Sequence, residues 1–269
     1  LIQRAPDLLS GHSPDASGVV AQAFRDEGME VITGTRLDQI SGDAHRVAVT
    51  YTKDGETVTK NARYLFNALG REPNVKHLNL DAAGVEIDLK NRIKINKFQQ
   101  TTAPHIYAGG DVCGPNEIVH VAVAQGELSA RHAFGVQNLK PINEEHLLHV
   151  VFTDPQLASI GLTEKKLKEQ KRPYLAASYP FNDHGKSILM DANYGFVKVL
   201  ADPKNGRIIG AEIVGKDAGE LIHAFSGPLV MNATVNDLLQ APWYHPTLAE
   251  IVTYPLEEIA DKLAEGTKT

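Results

Sequence analysis

The sequence predicts an α/β protein whose last part is an α+β domain. Three observations carry that reading. Residues 1–70 run strand, helix, strand and then a small meander, the order of an α/β domain. An apolar stretch ending in Gly109-Gly110-Asp111 leads into a helix, as at the carboxyl edge of an open sheet. From about Glu144 the rhythm becomes strands first and helices afterwards, which indicates a sheet covered by helices. The boundaries fall at 1–70, 71–143 and 144–269.

Leu1–Gln3 reads as a strand remnant. Ser13-Pro14-Asp15 is a helix start, with serine as cap and proline at the first position. The helix runs through "DASGVVAQAFRDEG", with Val19, Val20, Ala23 and Phe24 on one face, and Gly28 ends it. "MEVITGT" is expected as a strand, and "HRVAVTYTKDGETVTKNARYLFNAL" as two or three, with Lys53–Glu56 as a hairpin turn. "NRIKINKFQQTTAPHIYAGGD" alternates, breaks at Pro104 and closes with a short strand at residues 105–108. A helix is predicted over about 118–134. "LHVVFTDPQLASIGLT" reads as strand, turn, strand, and Thr163 caps "EKKLKEQK". "YGFVKVLADPKNGRIIGAEIVG" reads as two strands around Asn205-Gly206. Helices are expected over about 218–231 and 247–264.

Composition excludes several classes. With 269 residues, 42% hydrophobic and 22% charged, the chain is an ordinary globular protein of about two domains. A net charge of -6 and the absence of a Lys/Arg cluster argue against nucleic acid. No apolar run approaches the ~18 residues that span a bilayer. A single cysteine, Cys113, rules out an internal disulfide framework and suits a reducing compartment, hence a cytoplasmic location. The chain opens "LIQRAPDLL", without methionine or leader. It is therefore expected to be part of a longer protein, a processed N-terminus being the alternative.

Three stretches carry chemistry. In "HIYAGGDV" the glycines permit close approach to the backbone, and Asp111 is placed to accept hydrogen bonds from sugar-like hydroxyls or, alternatively, to close a turn. "NALGREPN", Asn67 to Asn74, reads as a strand ending in Gly-Arg or as an interdomain turn. In "PWYHPTLAEI" His245 and Glu250 have the types of a base and its orienting carboxylate, while Thr247 and Glu250 also fit a helix capping box.

These stretches, in this order, resemble the pyridine nucleotide-disulfide oxidoreductase family, and the likeness covers nearly the whole chain. "TTAPHIYAGGDVCG" is similar to the family's second flavin-binding motif. The resemblance implies that Asp111 binds the ribityl chain of FAD, and that Glu117, Ile118, Val119 and His120 pack beside the flavin. "NALGREPN" is similar to the crossover from the NAD(P) domain back to the FAD domain, which places Gly70 by the nicotinamide and makes Arg71 a charge-paired anchor. Gln3 stands where the family sorts NAD from NADP and fits neither pattern, so the choice stays open. Leu37 matches a contact to the adenine half.

"HPTLAE" resembles the family's C-terminal motif, in which histidine shuttles a proton for a substrate thiol, glutamate orients it, and the His-Pro bond is cis. The chemistry needs those types: a thiol must lose its proton before it can attack, and imidazole can take and return it.

The resemblance thus implies partial FAD- and NAD(P)-binding Rossmann-like domains followed by an α+β dimerisation domain. The protein would be a homodimer through that domain, with His245 serving the partner subunit's active site. It would act on a small dithiol or disulfide, lipoyl groups of a multienzyme complex among them. Dihydrolipoyl dehydrogenases are the nearest branch, ahead of glutathione and mercuric reductases. The family's cofactor glycine loops and Cys-x4-Cys pair are not in these residues, so a non-catalytic dimerisation fragment is the reading from another class.

Other signals are set aside. Cys113 reads as a small buried residue. "DHGKS", Asp183 to Ser187, is only the tail of a phosphate loop, since Pro180 stands where its leading glycine belongs. His146 and His149 lack further ligands nearby in sequence, and no metal site is expected.

Overall fold

In the computed structural model, residues 1–266 are described. They form two compact units, residues 1–65 with 148–266, and residues 66–147.

The first unit begins with helix α1, Pro14–Asp26, started as its sequence predicts: the Ser13 hydroxyl accepts from the Ala16 amide at 3.3 Å. At its end the amides of Gly28 and Met29 donate to the carbonyls of Arg25 and Phe24, and Gly28 takes a φ of +89°, a glycine-terminated stop. Strands β1 (Arg36–Gly42), β2 (Val47–Lys53) and β3 (Glu56–Ala62) form an antiparallel meander. Asp54 and Gly55 both have positive φ, so "KDGE" is the two-residue turn that suits the twist of a hairpin.

Strands β4 (Leu148–Val151), β5 (Gln156–Gly161), β6 (Leu175–Pro180), β7 (Phe196–Ala201) and β8 (Ile208–Gly215) form an antiparallel sheet in the order β4-β5-β8-β7-β6. Val197, Val199 and Ala201 join one core, which also contains Ile213 and is covered by Phe225, Leu256 and Ile259. These come from α6 (His223–Met231) and α8 (Thr253–Gly266). On the other face, Leu157 and Val214 pack against Ala16 and Val20 of α1. Leu200 packs on Leu162 and on Leu167 of α3 (Glu164–Glu169). Both faces are therefore buried, which explains why β7 and β8 read as nearly continuous apolar runs.

The polar residues on the α1 side are paired. The amide and hydroxyl of Ser13 donate to Glu212, and Lys198 Nζ lies 2.9 Å from Asp15 and 3.1 Å from Glu164. Gly195, φ +97°, precedes β7, and a Cβ there would stand 1.8 Å from the Val214 carbonyl oxygen.

The second unit contains α2, Val119–Ala133, and a small core of Val75, Val85, Ile93, Ala103 and Cys113. Its alternating stretches pair little: Ile87 bridges Ile93 and Gln100 bridges Tyr107, as isolated bridges.

Several expected elements differ. Residues 64–70 and 105–108 are not strands, and Leu1–Gln3 meets "MEVITGT" through the parallel bridge Ile2–Ile32 and backbone bonds to Glu30 and Thr35, short of a full strand. A strand needs a neighbour to take its backbone groups, and no longer pairing reaches these stretches among the described residues. Asn205-Gly206 lies within a longer loop joining Ala201 to Ile208, where Gly206 faces Leu263. The helix over 218–231 is two, α5 (Ala218–Leu221) and α6. The last helix enters through a 3₁₀ turn, Ala249–Val252. Strand β6 and the short helices α4 (Gly185–Leu189) and α7 (Val235–Leu239) were not read from the pattern.

Candidate functional site

The segment after α7 is pinned where Trp243 Nε1 donates to the Leu238 carbonyl at 3.0 Å. His245–Pro246 is a cis peptide. Thr247 and Glu250 then bond reciprocally: the Thr247 amide donates to Glu250 Oε1 and the Glu250 amide donates to Thr247 Oγ1, each at 3.3 Å. That is capping-box geometry around the 3₁₀ turn. The same carboxylate reaches the imidazole, with His245 Nδ1 3.0 Å from Oε1 and 2.9 Å from Oε2. Glu250 thus makes the contact with His245 and the contact with Thr247 in one geometry.

The two side chains differ in exposure. The Glu250 residue is buried, whereas the His245 side chain is 81% exposed. Burial pushes the Glu250 carboxyl up, but the His245 hydrogen bond and charge, the Thr247 amide and His184 outweigh it and hold it below the usual carboxylate value. An ionised carboxylate on Nδ1 favours a proton at that nitrogen and leaves Nε2 as the acceptor on an open ring.

His184 escaped the sequence reading. It is 1% exposed, with Nε2 3.4 Å from Glu250 Oε1 and Nδ1 2.8 Å from Ser187 Oγ. The signal was present as His184 and Ser187 in "DHGKS", three apart. Reading that stretch for phosphate binding hid its use as a buried pair.

In the second unit, Arg71 joins the predicted residues. Its guanidinium lies 3.0 Å from Asp111 Oδ2 and 3.5 Å from Glu117 Oε2, an exposed cluster in keeping with the anchoring role expected of it. Ile118 caps α2 without a side-chain bond, so the first N–H groups of that helix carry its positive dipole end free of a side-chain acceptor. Val119 and His120 are exposed beside it. Gly110 has φ +80° and donates its amide to Gln125 Oε1 at 2.6 Å. A Cβ at Gly109 would meet Gln125 at 3.2 Å. Gly110 is thus favoured by its backbone conformation, and at Gly109 a side chain would press on α2. Gly70 has φ +114°, and a Cβ there would meet nothing within 4 Å among the described residues. Cys113 is buried, and burial pushes its thiol up to about 11, which keeps it protonated and unreactive.

Gln3 and Leu37 lie in the first unit. The Gln3 amide donates to the Ile32 carbonyl at 2.8 Å, and Leu37 pairs with Tyr51 across β1 and β2. Among the described residues no group of three His, Cys, Asp or Glu is arranged to hold a metal, and no helix is long and apolar enough to cross a membrane.

Residues 1–126 match the pyridine nucleotide-disulphide oxidoreductase domain, and residues 148–255 match the dimerisation domain of the same family. The chain is 32% identical over 250 residues to a dihydrolipoyl dehydrogenase of Mycobacterium tuberculosis, covering 93% of this chain and 54% of that protein. It is 33% identical over 250 residues to a mercuric reductase of Bacillus cereus, covering 93% of this chain and 40% of that protein. Its fold superposes on the crystal structure of LpdA from Mycobacterium tuberculosis with a TM-score of 0.83 at 26% identity, covering 92% of this chain and 53% of that one. The chain spans about half the length of the dihydrolipoyl dehydrogenases it matches.

Proposed function

The chain belongs to the pyridine nucleotide-disulphide oxidoreductase family, and from that premise we propose that it serves an FAD-dependent, NAD(P)-linked dithiol/disulfide oxidoreductase of the dihydrolipoyl dehydrogenase kind. The observation that carries the reading is the exposed His245 ring held at Nδ1 by the buried Glu250 carboxylate. His245 Nε2 takes the proton from a substrate thiol, and the thiolate so formed attacks a disulfide. The imidazolium is stabilised by Glu250 and returns the proton in the reverse direction.

Residues 1–70 belong to the NAD(P) domain, 71–143 to the FAD domain and 144–269 to the dimerisation domain, through which a homodimer brings His245 to the partner's disulfide centre. The described residues fit FAD: the α2 N-terminus lacks a side-chain cap, and Asp111 is solvent-accessible beside glycines that already lack side chains. Asp111 would hold the ribityl hydroxyls, and Glu117, Ile118, Val119 and His120 the flavin side of the cofactor. Bound FAD supplies a two-electron relay between dithiol and nicotinamide nucleotide. Gly70 leaves room for the nicotinamide, and Gln3 and Leu37 contact the adenosine end of NAD or NADP. Lipoyl groups are the substrate class, and the single cysteine suits a cytoplasmic setting.

Replacing His245 by alanine in the flavin-loaded protein is expected to slow dihydrolipoamide oxidation by about 10²–10⁴-fold, with the flavin absorbance unchanged. Near-normal turnover overturns the proton-shuttle reading. The likeness to a mercuric reductase supports a second substrate reading. Faster NADPH oxidation with Hg(II) than with lipoamide would establish it in place of the first.

A further inference from the structure

We infer that His184 is a positioning residue for the proton shuttle: it acts on His245 through Glu250, by holding the second side of the carboxylate. The inference rests on the reading of His245 as the base. Glu250 lies between two imidazoles of opposite exposure. His245 is open to solvent, and His184 is enclosed. Nε2 of His184 has no hydrogen-bond partner within normal limits among the described residues; it faces Glu250 Oε1 at 3.4 Å. Leaving a buried donor short of a full hydrogen bond is costly, and an apolar side chain would avoid that cost. The imidazole is therefore poorly explained by packing alone.

The ring is buried and held at Nδ1. Its Nδ1 meets the hydroxyl of Ser187, itself fully buried, at 2.8 Å. The edge of Tyr254, from α8, approaches with ring centroids 5.9 Å apart. Tyr254 stacks on Tyr179 of β6 at 4.0 Å, and the Tyr179 hydroxyl donates to Asp183 at 3.1 Å. The groups facing the imidazole are thus Glu250, Ser187 and Tyr254, with Tyr179 and Asp183 behind Tyr254. If the Ser187 hydroxyl donates to Nδ1, the ring proton sits on Nε2 and points at the carboxylate.

Held only by the exposed His245 ring and the Thr247 amide, the carboxylate would be free to turn and to let that ring flip or change tautomer. A buried imidazole whose Nε2 faces Oε1 at 3.4 Å opposes that turning. His245 then keeps its proton on Nδ1 and its lone pair on Nε2. The buried imidazole thereby passes the order of the core to the exposed ring.

The test compares His184→Phe, which keeps the ring volume but removes the donor, with His184→Gln, which keeps an N–H, in the flavin-loaded protein labelled at histidine nitrogen. His184→Phe is expected to lower kcat for dihydrolipoamide roughly tenfold with KM within about twofold. The His245 ¹⁵N spectrum should change from one tautomer to a mixture, and His184→Gln should restore both. If His184→Phe fails to fold, His184→Gln and Ser187→Ala carry the test: near-normal kcat with a single tautomer is expected of the former, and a mixture of His245 tautomers of the latter. A folded His184→Phe, or in its place Ser187→Ala, with an unchanged His245 spectrum overturns the inference. His245→Ala, measured alongside, separates the two levels. If it turns over normally the base reading itself fails, whereas a slow His245→Ala beside an unaltered His184→Phe removes only His184.

Discussion

Strands β7 and β8 are buried along nearly their whole length, whereas Tyr64, Phe66 and Leu69, equally apolar, stand exposed, Phe66 by 90%. Both regions carry the composition of strands. The difference is partnership. β7 has β6 and β8 beside it and packs on both faces, while residues 64–69 pair with no strand among the described residues. Strand character is thus a property of neighbours as much as of residues, and apolarity alone does not order a segment.

The comparison can be broken most severely by hydrogen exchange. Amides of Val199 and Ile213 should exchange at least roughly a thousandfold more slowly than those of Leu65 and Phe66, since core strands open only with free energies near the global value. Comparable rates would mean that the sheet is not the stable part. Next in size, Phe225→Ala should cost about 3–5 kcal/mol in denaturant unfolding, because Phe225 is fully buried on the sheet. A loss under about 1 kcal/mol would show that the core reported around it is not packed.

Gly195→Ala should cost at least about 1–3 kcal/mol from the backbone conformation alone. Relaxation of the contact with the Val214 carbonyl adds to this. Gly70→Ala, also at positive φ but in open space, should cost only the conformational part, and equal losses at both would discount the close approach.

The smallest effects come with acid. Burial pushes the Glu212 carboxyl up, yet contacts from His12 and Ser13 leave it below the ordinary 4.5. A group depressed on folding contributes stability that is complete above its ordinary value and is lost as pH falls through the folded one. Trp243 fluorescence, followed through urea melts below pH 4.5, should therefore show a falling midpoint. Glu212→Gln should flatten that slope. In the second unit Asp88, held by Arg92 from 3.8 down to about 2, loses its contribution progressively as the pH falls from the higher value to the lower.

Much was legible where the cause is local. The Ser13-Pro14 start, the Asp54-Gly55 turn and the α2 helix need only neighbouring residues. The spacing of His245 and Glu250 brings ring and carboxylate together across one turn, and both expected contacts of Glu250, to His245 and to Thr247, occur. His184 was not legible, because its partner lies 66 positions on and its place follows from β6 and α8 packing around it. The α7 start was missed for a smaller reason. Thr234 and Asp237 form its capping box, with aspartate where the usual pattern has glutamate or glutamine. The strands expected at 64–70 and 105–108 failed for the reason opened on above: their pattern is real, but pairing is not a local property.

The bond from Ser13 to Glu212 spans 199 positions. At a synthesis rate of ~5–20 residues per second, the α1 helix would leave the ribosome roughly 10–40 s before the strand that receives it. Through that interval Ala16 and Val20 have no Val214 to cover them. α1 can complete its contact with the sheet only after β8 has emerged, and a nascent chain arrested before β8 would leave its apolar stripe without Val214 to cover it.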